Sequence, residues 1–140
     1  MTFETTVDVR FTDVDTYGHV NNAVYATYME EARIAYLEAV LGDEAADLLS
    51  PAADGTGLVM AGLELDFERP LRTVDAVTVT VETTALGRSS VTIEYELRDE
   101  AVVATGETTL VAYDRAAAES RPLPDRWREA IVEFEGLDAE

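Results

Sequence analysis

A chain of 140 residues can bury one core of roughly two-thirds of its unfolded surface, and the absence of cysteine excludes disulfides, thiolate nucleophiles and cysteine-based metal sites. Its 29 acids stand against 10 bases, all of them arginine, for a net charge of -19, so a phosphate backbone would meet repulsion with no basic stripe to offset it and no nucleic-acid partner is expected. No apolar run is long enough to span a bilayer and there is no signal-peptide start, so a single soluble, cytoplasmic domain over 1–140 with no membrane partner is expected.

In chain order, Val7, Val9 and Phe11 read as a strand leading into an acidic turn that carries Asp13, Asp15, Gly18, the sole histidine His19 and the amide pair Asn21-Asn22. Tyr25, Tyr28, Met29, Ala32, Tyr36, Ala39 and Val40 then recur at three- and four-residue steps, which predicts a helix, and Gly42 is its natural stop. Ile34, Leu37 and Leu41 form a second apolar stripe on it. Asn21 or Asn22 is a good N-cap, so the acidic turn faces a helix N-terminus, whose unpaired N–H donors can polarise a carbonyl.

Leu49 to Gly57, with Pro51, Gly55 and Gly57, reads as a loop back to the sheet. The period then becomes alternating. Leu63, Leu65 and Phe67, then Val77, Val79 and Val81, then Val91, Ile93, Tyr95 and Leu97 each line one face of a strand. A last strand near Val102 to Tyr113 contains Gly106, which marks a bulge or a close approach. Short polar connections at Arg72 to Asp75, Leu86 to Ser89 and Arg98 to Ala101 favour antiparallel neighbours. Arg126 to Phe134 predicts a terminal helix after Pro124, with fraying expected from Gly136 to Glu140. The sum is an α+β arrangement in which an antiparallel sheet wraps a long helix.

Several chemistries fail on the letters alone. Asp13-Val14-Asp15 opens like a calcium loop, but Tyr17 occupies the third ligand position and Val24 the closing one, where a bidentate glutamate is required. One histidine cannot make a zinc pair, no GxSxG elbow exists, and without lysine there is no P-loop. Neither a metal nor a cofactor is expected. Carboxylate chemistry remains.

The turn, read as DVDTYGHVNN over 13–22, resembles that of hotdog-fold thioesterases of the 4-hydroxybenzoyl-CoA thioesterase type. The likeness continues in order through Leu65-Asp66-Phe67-Glu68-Arg69-Pro70-Leu71-Arg72, Gly87-Arg88-Ser89-Ser90 and Pro122-Leu123-Pro124. It implies a hotdog fold and hydrolysis of an acyl-CoA or acyl carrier protein thioester. Asp15 takes the place of the catalytic acid, as nucleophile or as general base for water. The backbone N–H of Asn22 takes the place that polarises the carbonyl. A carboxylate suits either role because a thiolate leaves readily.

Some relatives carry a tyrosine four positions before that acid and a histidine seven after it, where this chain has Phe11 and Asn22, so backbone donation and the helix dipole must carry more. His19 stands where another branch also has histidine, in catalysis or in turn geometry, and Asp13 reads as a turn brace. The resemblance further implies substrate contacts at Gly18, Tyr25, Val59, Met60, Ala61, Arg72, Arg88 and Ser89, with Arg115 or Arg121 as additional phosphate partners. It also implies a site shared between two subunits, in a homodimer or a pair of dimers, with the strand near Leu58 to Gly62 of one chain completing the acyl pocket of the other.

Two rivals share the fold: a non-catalytic acyl-CoA-binding module and a dehydratase. Asp15 argues against the first, and His19 lacks the surroundings of the second. The lysine-free acidic composition resembles proteins of salt-accumulating halophiles, in which molar salt shortens the Debye length to ~3 Å and screens self-repulsion.

Overall fold

The computed structural model describes residues 3–49, 55–72 and 75–137, Asp47 by its backbone alone. Strand β1 (Phe3–Asp8) leads through two 3-10 turns, Phe11–Asp13 and Asn22–Val24, into helix α1 (Tyr25–Leu41). A short helix α2 (Glu44–Leu48) follows, then β2 (Thr56–Phe67), β3 (Ala76–Leu86), β4 (Ser90–Arg98), β5 (Val102–Asp114), the two-residue β6 (Glu119–Ser120) and helix α3 (Asp125–Glu135). The antiparallel sheet runs β1-β3-β4-β5-β2, with β6 also paired to β5. The expected α+β architecture, a sheet around a long helix, is present.

The period-2 pattern explains the sheet's inner face. Val77, Val79, Val81, Val91, Ile93 and Leu97 are all buried, as are Tyr25, Tyr28, Met29, Ala32 and Tyr36 of α1 opposite them. Each buried aliphatic or aromatic side chain stabilises the fold by about 1.5–3 kcal/mol. Phe3 and Phe134 set their ring edges against Tyr36, at centroid distances of 5.7 and 5.9 Å. Gly106 is the close approach rather than the bulge: a Cβ there would lie 2.6 Å from Met29 Cε, while its ladder stays in register. The register shifts fall between Met60 and Gly62, between Thr83 and Ala85 and between Leu97 and Arg98.

The second bulge has a visible use. Thr83 N–H donates to Glu135 Oε2 at 2.7 Å, and Tyr36 O–H donates to the same oxygen at 2.5 Å, which seats the end of α3 on the sheet. Burial and the Glu135 carboxylate both push the Tyr36 phenol well above its ordinary value.

Several expectations are corrected. The connection at Arg72 to Asp75 does not join neighbours, because β1 occupies one side of β3 and β2 pairs along its whole length with β5; residues 73 and 74 lie outside the described residues. Ala39 is exposed and Val40 half-buried, because the end of α1 turns Leu37 and Leu41 inward toward α2 instead; Ile34 of the same stripe is exposed. The segment expected as a loop from Leu49 begins after an unexpected α2 and ends at β2, with 50–54 outside the described residues. At the other end, Gly136 caps α3 at φ 71° and Leu137 N–H still donates to Val132 O, while 138–140 lie outside the described residues.

The most consequential difference concerns β2. Leu63, Leu65 and Phe67 share one face, yet Leu63 is 45 % and Phe67 47 % exposed, because β2 is an edge strand that runs past the cover its own helix provides. The bulge keeps Met60 on the face of Leu63 despite their odd spacing: their partners Leu110 and Thr108 are both buried.

Candidate active site

The acidic turn is a small closed hairpin. Asp15 N–H donates to His19 O at 2.8 Å, Gly18 N–H to Asp15 O at 3.1 Å, and Val14 bridges Val20. Gly18 adopts φ 80°, a conformation that a side chain would strain, which explains glycine at the tip. Within the hairpin Asp15 Oδ1 accepts from the backbone N–H groups of Tyr17, at 2.9 Å, and His19, at 3.3 Å. This Asx-type turn fixes where the carboxylate points.

Two anchors hold the hairpin. Val20 N–H donates to Leu71 O at 2.6 Å, and His19 bridges Arg72, so the stretch after β2 forms its floor. Asp13 is the second anchor, nearly buried, with Oδ2 accepting from Arg10 N–H at 2.9 Å and from Tyr28 O–H at 2.8 Å. Burial, first, and the Asp13 carboxylate push the Tyr28 phenol well above its usual range. The two aspartates are thus sorted by environment: Asp13 ties the hairpin to α1, and Asp15 faces a cavity.

That cavity, of about 450 Å³, is lined by Asp15, His19, Val20, Asn21 and Asn22 on one side and by Phe67, Glu68, Arg69 and Pro70 on the other. Asn21 caps the 3-10 turn through Oδ1, which accepts from Ala23 N–H at 2.9 Å. Asn22 is therefore the first residue of the helical stretch, and its N–H has no intrahelical acceptor. An acid and a helix-start donor share one cavity of a size that suits a small-molecule group.

The remaining expected contacts are distributed more widely. Tyr25 is buried beneath the cavity; its hydroxyl accepts from Leu71 N–H at 3.1 Å, and its ring meets Phe67 edge-on at 5.0 Å. Burial pushes its phenol up. Arg72 lines an adjoining cleft with Arg69, Pro70, Asp99 and Glu100. Val59, Met60 and Ala61 lie on the exposed edge strand, outside the lining of the Asp15 cavity.

Arg88 and Ser89 sit in the β3–β4 turn, outside that lining as well. The Arg88 carbonyl accepts from Leu123 N–H and the Ser89 carbonyl from Ala112 N–H. Arg115 donates through Nη2 to Leu48 O at 2.5 Å and lies against Gly57, a structural position between α2 and β2. Arg121 is exposed, and its N–H donates to Ala112 O.

Sequence reasoning missed the wall of Phe67 to Pro70, and with it Arg69, which lines both the cavity and the adjoining cleft. Its signal was an apolar strand ending at a proline with an arginine before it. Among the described residues no group of three or more His, Asp or Glu is arranged to hold a metal ion, and no helix is long and apolar enough to cross a membrane.

A family model described as the thioesterase-like superfamily matches residues 9–131, a span that includes the hairpin, α1 and the whole sheet beyond β1. The chain belongs to the thioesterase-like superfamily. The fold of this thioesterase is the hotdog fold, and its family is one of thioester hydrolases. It is similar to the crystal structure of a thioesterase complexed with coenzyme A and Zn from Thermus thermophilus, with 38% identity, a TM-score of 0.80 and coverage of 96% of this chain and 95% of that one. It is 30% identical to the 1,4-dihydroxy-2-naphthoyl-CoA hydrolase of Synechococcus elongatus over 84% of this chain and 86% of that protein. It is 28% identical to the long-chain acyl-CoA thioesterase FadM of Escherichia coli, over 94% and 98% respectively.

Proposed function

We propose that the thioesterase hydrolyses an acyl thioester of coenzyme A, or of an acyl carrier protein, with Asp15 as nucleophile or general base and the Asn22 N–H as the donor to the carbonyl oxygen. The observation that carries this is the shared cavity: a carboxylate held by two backbone N–H groups faces the open end of a helical stretch. As a base, Asp15 takes a proton from water while the oxygen adds to the thioester carbon. As a nucleophile, it forms a mixed anhydride that water then opens. In either case negative charge develops on the carbonyl oxygen, where a helix-start N–H stabilises it, and the C–S bond breaks to release a thiolate that takes up a proton. The coenzyme A in the Thermus structure and the two CoA-thioester hydrolases among the relatives support the substrate class.

His19 contributes through its main chain, by closing the hairpin on Asp15 and pairing with Arg72. Arg69 and Arg72, at the mouth beside Pro70, are suited to the phosphates of the CoA arm, since a guanidinium fork matches phosphate geometry. A second copy of the chain completes the site. The unpaired edge of β2, with Met60, Leu63 and Phe67 exposed on its inner face, is the surface a partner would extend and cover.

A panel of acyl-CoA and acyl carrier protein thioesters, assayed by thiol release in molar potassium chloride, tests the proposal. Turnover of at least one class is expected. Tight binding of acyl-CoA without thiol release would make the protein the binding module instead.

A further inference from the structure

Arg33 stands halfway along α1 with its side chain only 11 % exposed. It lines a groove of about 470 Å³ between α1 and the inner face of β2, together with Ile34, Leu37, Leu48, Leu58, Met60 and Leu110. This is an expensive place for a guanidinium, which cannot lose its proton and carries five N–H donors. Nη1 donates to Tyr95 Oη at 3.2 Å, and Nη2 comes no nearer than 3.9 Å to Glu30 at the groove's rim, beyond hydrogen-bond reach. A leucine would complete this apolar lining at lower cost.

The arginine is also held in place. Because it can only donate, Tyr95 Oη is the acceptor, and the Tyr95 and Thr108 hydroxyls share a further hydrogen bond of 2.7 Å. Tyr95 and Thr108 are buried, so the chain Arg33–Tyr95–Thr108 fixes the fork while leaving the remaining N–H groups for whatever fills the groove.

We propose that this groove receives the acyl group of the substrate and that Arg33 reads an oxygen acceptor, a carboxylate or a hydroxyl, at the end of that group remote from the thioester. The inference rests on the hydrolase reading above and specifies its substrate. The inner face of β2 joins the two places, since it supplies Phe67 to the Asp15 cavity and Met60 and Leu58 to the groove. Full antiparallel pairing of two β2 edges would set the Phe67 end of one copy against the Leu58 end of the other, so that the groove of one subunit continues the cavity of its partner. An apolar acyl body then lies along the leucines, and its distal oxygen takes guanidinium donors that no described residue hydrogen-bonds, with Glu30 only in long ion-pair range.

Suberoyl-CoA, ω-hydroxyoctanoyl-CoA and octanoyl-CoA share a chain length and differ only at the far end. With the wild-type enzyme, KM is expected to be at least about tenfold lower for one of the two oxygenated thioesters than for octanoyl-CoA. Whichever is preferred identifies the acceptor. Arg33→Met should erase that preference by raising the preferred KM to about that of octanoyl-CoA, and Arg33→Lys should restore part of it.

No preference in the wild type, an equal loss on all three substrates in Arg33→Met, or a change of oligomeric state by light scattering in that variant would overturn the proposal; the last would make Arg33 an interface residue. If no thioester is turned over, the hydrolase reading fails by itself, and calorimetry with the same three thioesters still tests the subsite: tighter binding of one oxygenated thioester, lost in Arg33→Met, supports it, and equal binding of all three overturns it.

Discussion

Asp13 and Asp15 differ by two positions and by everything that surrounds them. Asp13 spends its carboxylate on Arg10 N–H and the Tyr28 hydroxyl, whereas Asp15 is aimed by its own turn into the cavity that Asn22 also lines. The donor at Asn22 can be tested without disturbing the helix. Proline is tolerated at a first helical position because it lacks only an N–H that has no intrahelical partner, and Asn21 already has the extended conformation, φ -61° and ψ 132°, that a following proline requires. Asn22→Pro should therefore keep the thermal midpoint within a few degrees while lowering kcat on the order of a hundredfold, the usual effect of losing about 3 kcal/mol of oxyanion stabilisation. Unchanged kcat in the folded variant would remove that N–H from the mechanism.

At the scale of the elements, the pairing of the strands creates a feature that the letters do not show. Glu82 lies opposite Glu94, Glu94 opposite Glu107, and Glu107 opposite Glu64, so four glutamates form one row across β3, β4, β5 and β2 on the outer face. Like charges directly opposite destabilise a sheet by roughly 0.2–1 kcal/mol per pair, and Glu94 stands in two such pairs. Glu94→Gln should raise the thermal midpoint at low salt by roughly 2–5 °C, with the gain shrinking in molar salt. An equal gain at both salt concentrations, or none at low salt, would show that the row is already neutralised.

What the sequence could reveal here followed range. The hairpin, the start of α1 and the alternation within each strand are set by neighbours a few residues apart, so the turn that carries Asp15, the helix start at Asn22 and β2 to β5 were legible, whereas Val9 and Phe11, expected in the first strand, lie beyond the end of β1, with Phe11 exposed in a 3-10 turn. The pairing of β2 with β5 rather than β3 depends on residues some fifty positions apart, and the glutamate row, the wall from Phe67 to Pro70 and the burial of Arg33 all depend on that pairing. Tyr25, which its helical spacing assigned to the core and the family resemblance to a substrate contact, holds Leu71 and Phe67 beneath the site.

For the whole molecule, the net charge of -19 with no lysine bears on the proposed dimer, in which a second copy would double the load. Extension of β2 across a two-fold axis would hide the exposed inner face and bring two acidic sheets into one. Light scattering in molar potassium chloride should find at least a dimer. Lowering the salt to about 0.1 M, where screening extends over ~10 Å, should lower the thermal midpoint and the activity together. An active monomer would contradict the shared site, and a midpoint that is flat or rises on dilution would leave the acidic composition without this explanation.

The claim on which the rest depends is that the Asp15 carboxylate performs the chemistry in a cavity that the fold builds for it. Single-turnover thiol release from a substrate of the wild-type enzyme, compared with Asp15→Asn of matched circular dichroism and thermal midpoint, tests it directly. A fall of at least about a hundredfold is the predicted result, as expected for loss of a general base or nucleophile. Near-normal turnover by the folded variant on several thioesters would contradict it.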